Sequence, residues 1–140
     1  MTVDLDIFGR GRLHEAALEN DEEKALVAVG AGEDPNHKDK YGSAPLHIAA
    51  QSSAVDVARV LLDAGAIVDL QTPNGHTPLF FAVVNSKGKG DTIALLRNAG
   101  ADPYLSSLAG MSPIYVAQYI GDCGAARFFS DLPKLIIDDT

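Results

Sequence analysis

The chain has 140 residues, 46% of them hydrophobic, with a formal charge of −8 at pH 7 and a single cysteine. That size and apolar content fit one packed domain with a core and exclude a disordered chain. The acidic balance argues against nucleic acid or an anionic membrane as partner, and the lone Cys123 leaves neither an intramolecular disulfide nor a cysteine zinc site to build.

The first dozen residues, "MTVDLDIFGRGR", are acidic before they are basic and hold no apolar run, so they read as neither a signal peptide nor a transit peptide. No later stretch approaches the roughly 18 apolar residues of a membrane span. A cytoplasmic chain in a reducing compartment is therefore expected. Leu13, His14, Ala16 and Ala17 open a first short helix, and Glu15, Glu19, Asp21, Glu22 and Glu23 crowd acid around it. "YGSAPLHIAA" from Tyr41 announces the next helix with Gly42 and Pro45. The proline suits a first helical turn, where its missing N–H would have had no intrahelical partner. "VDVARVLLDAG" at 55–65 follows as a second apolar helix and closes on Gly65, placed where helices favour a left-handed glycine. "NGHTPLFFAV" at 74–83 and "DTIALLRNAG" at 91–100 repeat the pair, and "AGMSPIYVAQ" at 109–118 opens it again.

Gly42 and Gly75, Pro45 and Pro78, Leu46 and Leu79, and Ala49 and Ala82 are each 33 residues apart, and from there to Gly110, Pro113, Ile114 and Ala117 the step is 35. Gly32, Gly65 and Gly100 keep the same steps, and one period back from Leu46 stands Leu13, with Gly9 matching Gly42. Self-similarity at such a period marks a stacked array, in which no unit covers its apolar face alone. The expectation is an all-α repeat protein, a single domain over 1–140. Its four helix-turn-helix units run over about 9–41, 42–74, 75–109 and 110–140, joined by hairpin-like loops, with the first and last units degenerate caps. The two extra residues of the third unit fall in "NSKGKGD", where Gly88 and Gly90 break the pattern and a longer, mobile loop is expected.

The motif Gly-x-Thr-Pro-Leu-His-x-Ala-Ala of the ankyrin repeat family is met closely by Gly42, Pro45, Leu46, His47, Ala49 and Ala50, and again by Gly75, Thr77, Pro78, Leu79 and Ala82. From about residue 9 to 130 the chain resembles that family. The resemblance implies an ankyrin solenoid in which His14 and His47 brace loops. Arg12 stands where proline is expected, marking the first unit as a polar cap, while Phe80 and Tyr115 replace the motif histidine and give up a bracing hydrogen bond for aromatic surface.

Catalysis finds little to work with. His14 and His47 hold bracing positions, and His37 and His76 lie in loops without a nucleophile, base and orienter at plausible spacing. "SKGKGDT" mixes Gly, Lys and Thr but fails the order of a phosphate loop and follows a helix rather than a strand. No zinc or calcium motif is present. A non-enzymatic protein without cofactor or metal is expected.

What remains is a binding surface. In a stacked array the loop tips and first helices line one concave face. By register the tips present Lys38, Lys40, Tyr41 and Ser43, then Gln71, Asn74 and His76, then Ser106, Leu108 and Met111. The first helices add Leu18 and Glu19, Gln51 and Ser52, Val84 and Asn85, and Tyr119 and Ile120. Tyr41, Phe81, Val84, Leu108, Met111 and Tyr119 put apolar groups where a monomer shows polar ones, and such anchors dominate interface energetics. With Glu19, Glu22 and Glu23 at one end, the expected partner is a basic protein, and the free chain is expected to be a monomer.

The third and fourth units, "PLFFAVVNSKGKGDTIALLRNAGADP" and "GMSPIYVAQYIGDCGAARFFSDL", are similar in general pattern to bacterial ankyrin proteins that accompany polymorphic toxins as immunity proteins. That resemblance implies a toxin domain neutralised by tight binding. The alternatives are an adaptor or regulatory scaffold with a cellular protein partner and, from a different class, a small enzyme or ligand-binding protein.

Overall fold

The computed structural model describes residues 5–120 and 124–135. Among them the chain forms seven α-helices and one 3-10 turn, and no strand: α1 Arg12–Glu19, α2 Glu22–Gly30, α3 Pro45–Gln51, α4 Val55–Asp63, α5 Pro78–Val84, α6 Asp91–Asn98 and α7 Pro113–Tyr119, then the 3-10 turn Ala126–Phe129. Pro45, Pro78 and Pro113 stand in the first turns of α3, α5 and α7, as their missing N–H groups favour. α4 and α6 stop against Gly65 at φ 100° and Gly100 at φ 96°, backbone that side chains strain to adopt.

Helices of seven to nine residues are marginal in isolation, so packing must hold them. α1, α3, α5 and α7 lie side by side as an inner row and α2, α4 and α6 as an outer one, each inner helix also packing on the element that follows it. Leu13, Leu46, Leu79 and Ile114, one register position in four units, are at most 2% exposed. Burying each such side chain stabilises by about 1.5–3 kcal/mol. Ala16, Ala49, Ala82 and Ala117 are small enough to let neighbouring inner helices approach, and Val57, Leu61, Ile93 and Leu96 fill the space beneath the outer row.

Between units the chain folds into narrow fingers. Asp6, Asp39, Thr72 and Ser107 open them, and the N–H of each donates to the carbonyl of Arg10, Ser43, His76 or Met111 at 2.9–3.0 Å. The side-chain oxygen of each opening residue accepts the N–H of that same partner at 2.9–3.2 Å, the local turn chemistry of Asp, Ser and Thr. The first finger therefore starts at Asp6, ahead of the Gly9 at which the sequence register begins.

Two expectations need correction in the last two units. The fourth unit has no second α-helix among the described residues; the 3-10 turn packs on α7 instead, with Phe129 1% exposed. The loop around Gly88 and Gly90 is held rather than free. The Phe128 ring lies against Gly90, where a Cβ would come within 2.3 Å of it, and Arg127 donates to the Gly88 carbonyl. The extra residues of the third unit form the seat on which the C-terminal segment rests.

Candidate protein-binding surface

The histidines of the first two units are framework. His14 and His47 are 1% exposed. Nδ1 of each accepts the N–H of the residue capping its own helix, Gly11 at 3.3 Å and Ala44 at 3.0 Å. An accepting Nδ1 leaves the proton on Nε2, which donates to the carbonyl of Ser43 at 2.8 Å from His14 and of Leu70 at 2.6 Å from His47. Burial pushes both pKa values down, that of His47 to about 4, against the opposing pull of the backbone bonds. In the last two units the cap carries its own hydroxyl: Thr77 accepts the Phe80 N–H at 3.3 Å and Ser112 that of Tyr115 at 3.2 Å. The hydroxyl caps a helix N–H, a different group from the cap N–H and loop carbonyl that a histidine engages. Phe80 and Tyr115 thus forgo the histidine's two bonds while the helix start gains another.

Freed from bracing, Phe80 stacks on His76 with ring centroids 3.9 Å apart, and Phe81 meets His47 edge-on at 5.8 Å. Burial lowers the pKa of His76 as well. Phe81 and Met111 are half-buried against the core, which narrows the apolar patch that the register suggests. Ser43, His76 and Asn85 are also half-buried, Asn85 donating to the Phe81 carbonyl at 2.9 Å.

The fingers pack shoulder to shoulder. Lys40 N–H donates to the Phe8 carbonyl at 2.6 Å and Leu108 N–H to the Asn74 carbonyl at 2.9 Å, whereas Pro73, without an N–H, cannot make the matching bond to Tyr41. A Cβ on Gly42 would lie 2.4 Å from the Pro73 ring, so glycine there lets the second and third fingers meet. Tyr41 is 58% exposed, with Phe8 stacked beside it at 6.1 Å, and Leu108 is 81% exposed at the last finger. Lys38, Lys40, Gln71, Asn74, Ser106, Leu18, Gln51, Ser52, Val84 and Ile120 are exposed as well. Ile7 and Phe8, with the half-buried Arg10, add the first finger to this row. The spacing Asp6-x-x-Gly9, which repeats Asp39-x-x-Gly42, is the signal that points to them.

Tyr119 sits differently. Its hydroxyl donates to the Leu135 carbonyl and the Lys134 ammonium lies 5.7 Å from its ring centroid, so the chain's own C-terminal segment engages it.

The acidic end divides into structural and outward-facing groups. Asp21 caps α2 by accepting the Lys24 N–H at 3.0 Å, and Glu22 and Glu23 stand in that helix's first turn, where its dipole favours negative charge. Lys24 bonds Glu19 at 3.0 Å and lies 3.7 Å from Glu15; the Glu19 bond raises its pKa. No ion pair engages Glu22 or Glu23 among the described residues.

Among the described residues no three His, Cys, Asp or Glu side chains converge on a point that could hold a metal, and no helix is long and apolar enough to cross a membrane. Cys123 lies outside the described residues. Stacked helix pairs bearing a continuous row of fingers define a repeat module for protein–protein interaction.

The chain belongs to the ankyrin-repeat family: residues 13–107 match its description as ankyrin repeats in three copies. It is similar to the human transient receptor potential cation channel subfamily A member 1, at 32% identity over 119 residues covering 84% of this chain and 10% of that protein. It is also similar to the mouse nuclear factor NF-kappa-B p105 subunit, at 35% over 111 residues, 76% of this chain and 11% of that one. An ankyrin repeat-containing protein of Treponema pallidum (strain Nichols) is 38% identical over 130 residues, 90% of this chain and 39% of that protein. The chain thus spans well under half the length of these relatives.

Proposed function

We propose that this chain holds a basic protein partner against its fingers and inner helices, and that in doing so it neutralises a toxin domain by covering its active site. The observation that carries the reading is the exposure of the apolar Tyr41, Val84 and Leu108 on the fingers and an inner helix, together with the outward-facing acid of Glu19, Glu22 and Glu23 in the first unit. Apolar anchors in a preformed surface slow dissociation, and acid on the same molecule speeds the encounter with a basic partner. Inhibition by occlusion asks for no chemistry of the inhibitor's own. The second reading, an adaptor for a cellular protein, draws on the chain's likeness to short stretches of much longer proteins of several kinds.

The test is capture of the partner from the native cell, followed by surface plasmon resonance at two salt concentrations. Changing Glu19, Glu22 and Glu23 to Gln should slow association and flatten its salt dependence, because exposed charges are screened over about 8 Å at physiological salt. Tyr41→Ala should speed dissociation by about 2 kcal/mol, a thirty-fold effect, if it is a central anchor. Both rates unchanged would move the binding site to another face. A partner whose activity survives saturation with this chain would favour the adaptor.

A further inference from the structure

Gln118 occupies the register position held by Ala17, Ala50 and Val83 in the preceding units, each 0% exposed beneath the unit that follows it. At Gln118 the neighbour is instead the segment 133–135. Its Nε2 donates to the Pro133 carbonyl at 3.5 Å and its Oε1 accepts the Leu135 N–H at 2.8 Å. One carboxamide thereby reads an acceptor and a donor of the same peptide backbone, as a neighbouring strand would. Tyr119 donates its hydroxyl to the Leu135 carbonyl and offers its ring to the Lys134 ammonium, with Tyr115 beside it at 5.8 Å between centroids. A cleft lined by Gln118, Phe129, Leu132 and Lys134 adjoins these contacts.

We propose that Gln118 and Tyr119 form a clamp for a peptide segment carrying a cation beside a proline, that residues 133–135 fill it from within the chain, and that a basic segment of the protein partner takes it in exchange. The boundary of the displaceable part is visible. Up to Asp131 the segment is anchored, because Arg97 grips the Asp131 carboxylate with two bonds of 2.8 Å and the Phe128 carbonyl with a third, and Phe129 is buried. Beyond it Pro133 and Lys134 are exposed, Leu132 and Leu135 pack only partly against the core, and the clamp holds the backbone. Tyr119 shares its register row with Gln51 and Val84, so a partner lying along that row reaches the clamp at its end. Only the identity of the competitor rests on the function proposed above; the clamp and its internal occupant stand on the contacts themselves.

The probe is a fluorescein-labelled peptide with the sequence of residues 130–135, SDLPKL, titrated against the full chain by anisotropy. In the unaltered protein the internal segment competes at an effective concentration of about millimolar, so the peptide binds weakly. Leu135→Pro removes the N–H that Gln118 accepts, releases the segment and leaves the clamp intact; peptide affinity should rise at least about tenfold. Adding Gln118→Ala should abolish that gain, and so should replacing the peptide's lysine with glutamate. Equal affinity before and after Leu135→Pro, or a gain that survives Gln118→Ala, overturns the proposal. Amide exchange of the unaltered chain gives a second reading independent of any fold change in the variant. The Leu135 N–H should be protected and should lose protection in Gln118→Ala while the Phe128 N–H keeps its own; an unprotected Leu135 in the unaltered chain also overturns the proposal. Neither result depends on the acidic residues of the first unit, so failure here and failure of the partner-binding test are distinguishable.

Discussion

Four inner helices begin with two different kinds of cap. Where the capping residue has no acceptor, as with Gly11 and Ala44, a histidine three residues on reaches back to it and also ties the helix to the next stretch of loop. Where the cap is Thr77 or Ser112, its hydroxyl acts and an aromatic ring takes the histidine's place. His47→Phe should therefore destabilise by about 1–3 kcal/mol, since it strands the Ala44 N–H and the Leu70 carbonyl. Adding Ala44→Thr, which imports the cap of the third unit, should offset about 1 kcal/mol through a new bond from the N–H of residue 47 to its hydroxyl, the Leu70 carbonyl staying without the histidine, read from urea denaturation as a double-mutant cycle. The same histidine sets a pH dependence. Its folded pKa of about 4 lies below the 6.5 of the unfolded chain, so the unfolded state binds the proton first. Its contribution is full above pH 6.5 and is lost as pH falls toward 4. Between pH 6.5 and 5, before most carboxylates titrate, unfolding free energy should fall by on the order of 1.5 kcal/mol through His47, with His14 adding in the same direction. His47→Phe should flatten that slope, and an unchanged slope would show that His47 does not carry it.

The helix pairs were legible because they repeat: Leu46 and Leu79 keep one spacing, and prolines and glycines mark where each pair begins and ends. The C-terminal segment was not, because a 3-10 turn has no periodic partner elsewhere in the chain and its fixing contacts, Arg97 with Asp131 and Arg127 with Gly88, span more than thirty residues. The extra residues near Gly88 could be counted from the sequence, but their purpose appears only with the ring that lies on Gly90. On the candidate surface, the exposure of Tyr41 and Leu108 follows from register alone, whereas the contacts of Tyr119 do not, because the segment that engages it lies outside the repeat. Gly90→Ala isolates that docking. Gly90 has φ −107°, which alanine adopts freely, so the effect is the clash of a Cβ with the Phe128 ring. Faster amide exchange at Phe128, with α1 to α4 unaffected, is the expected outcome. Unchanged exchange would mean that the seat yields without cost.

The two ends of the stack close by different means, and its response to damage should follow. At the C-terminal end the buried Phe129 ring packs with the Arg97 guanidinium 5.2 Å from its centroid. The N-terminal end is closed by ion pairs: Arg12 reaches the carboxylate of Glu33, whose side chain is 7% exposed, at 2.6 Å, and Lys24 pairs with Glu15 and Glu19 in exposed bridges that contribute about 0–1 kcal/mol each. Val27 is 58% exposed there, while Val60 at the matching position of the second unit is 9% exposed because the first unit covers it. In a one-dimensional array each unit is held by its neighbours, so a middle unit is coupled on two sides and an end unit on one. Leu79→Ala, between the second and fourth units, should cost about 2–5 kcal/mol and lower the denaturation midpoint of one shared transition, since neither half retains enough neighbours to stand alone. Leu13→Ala removes the same group at the end. It should raise amide exchange in α1 and α2 well before any change in α5 and α7, with a smaller shift of the main transition. A midpoint indifferent to Leu79→Ala would show the register to be wrong. Uniform acceleration of exchange by Leu13→Ala would instead show that all four units open together, with no weaker end.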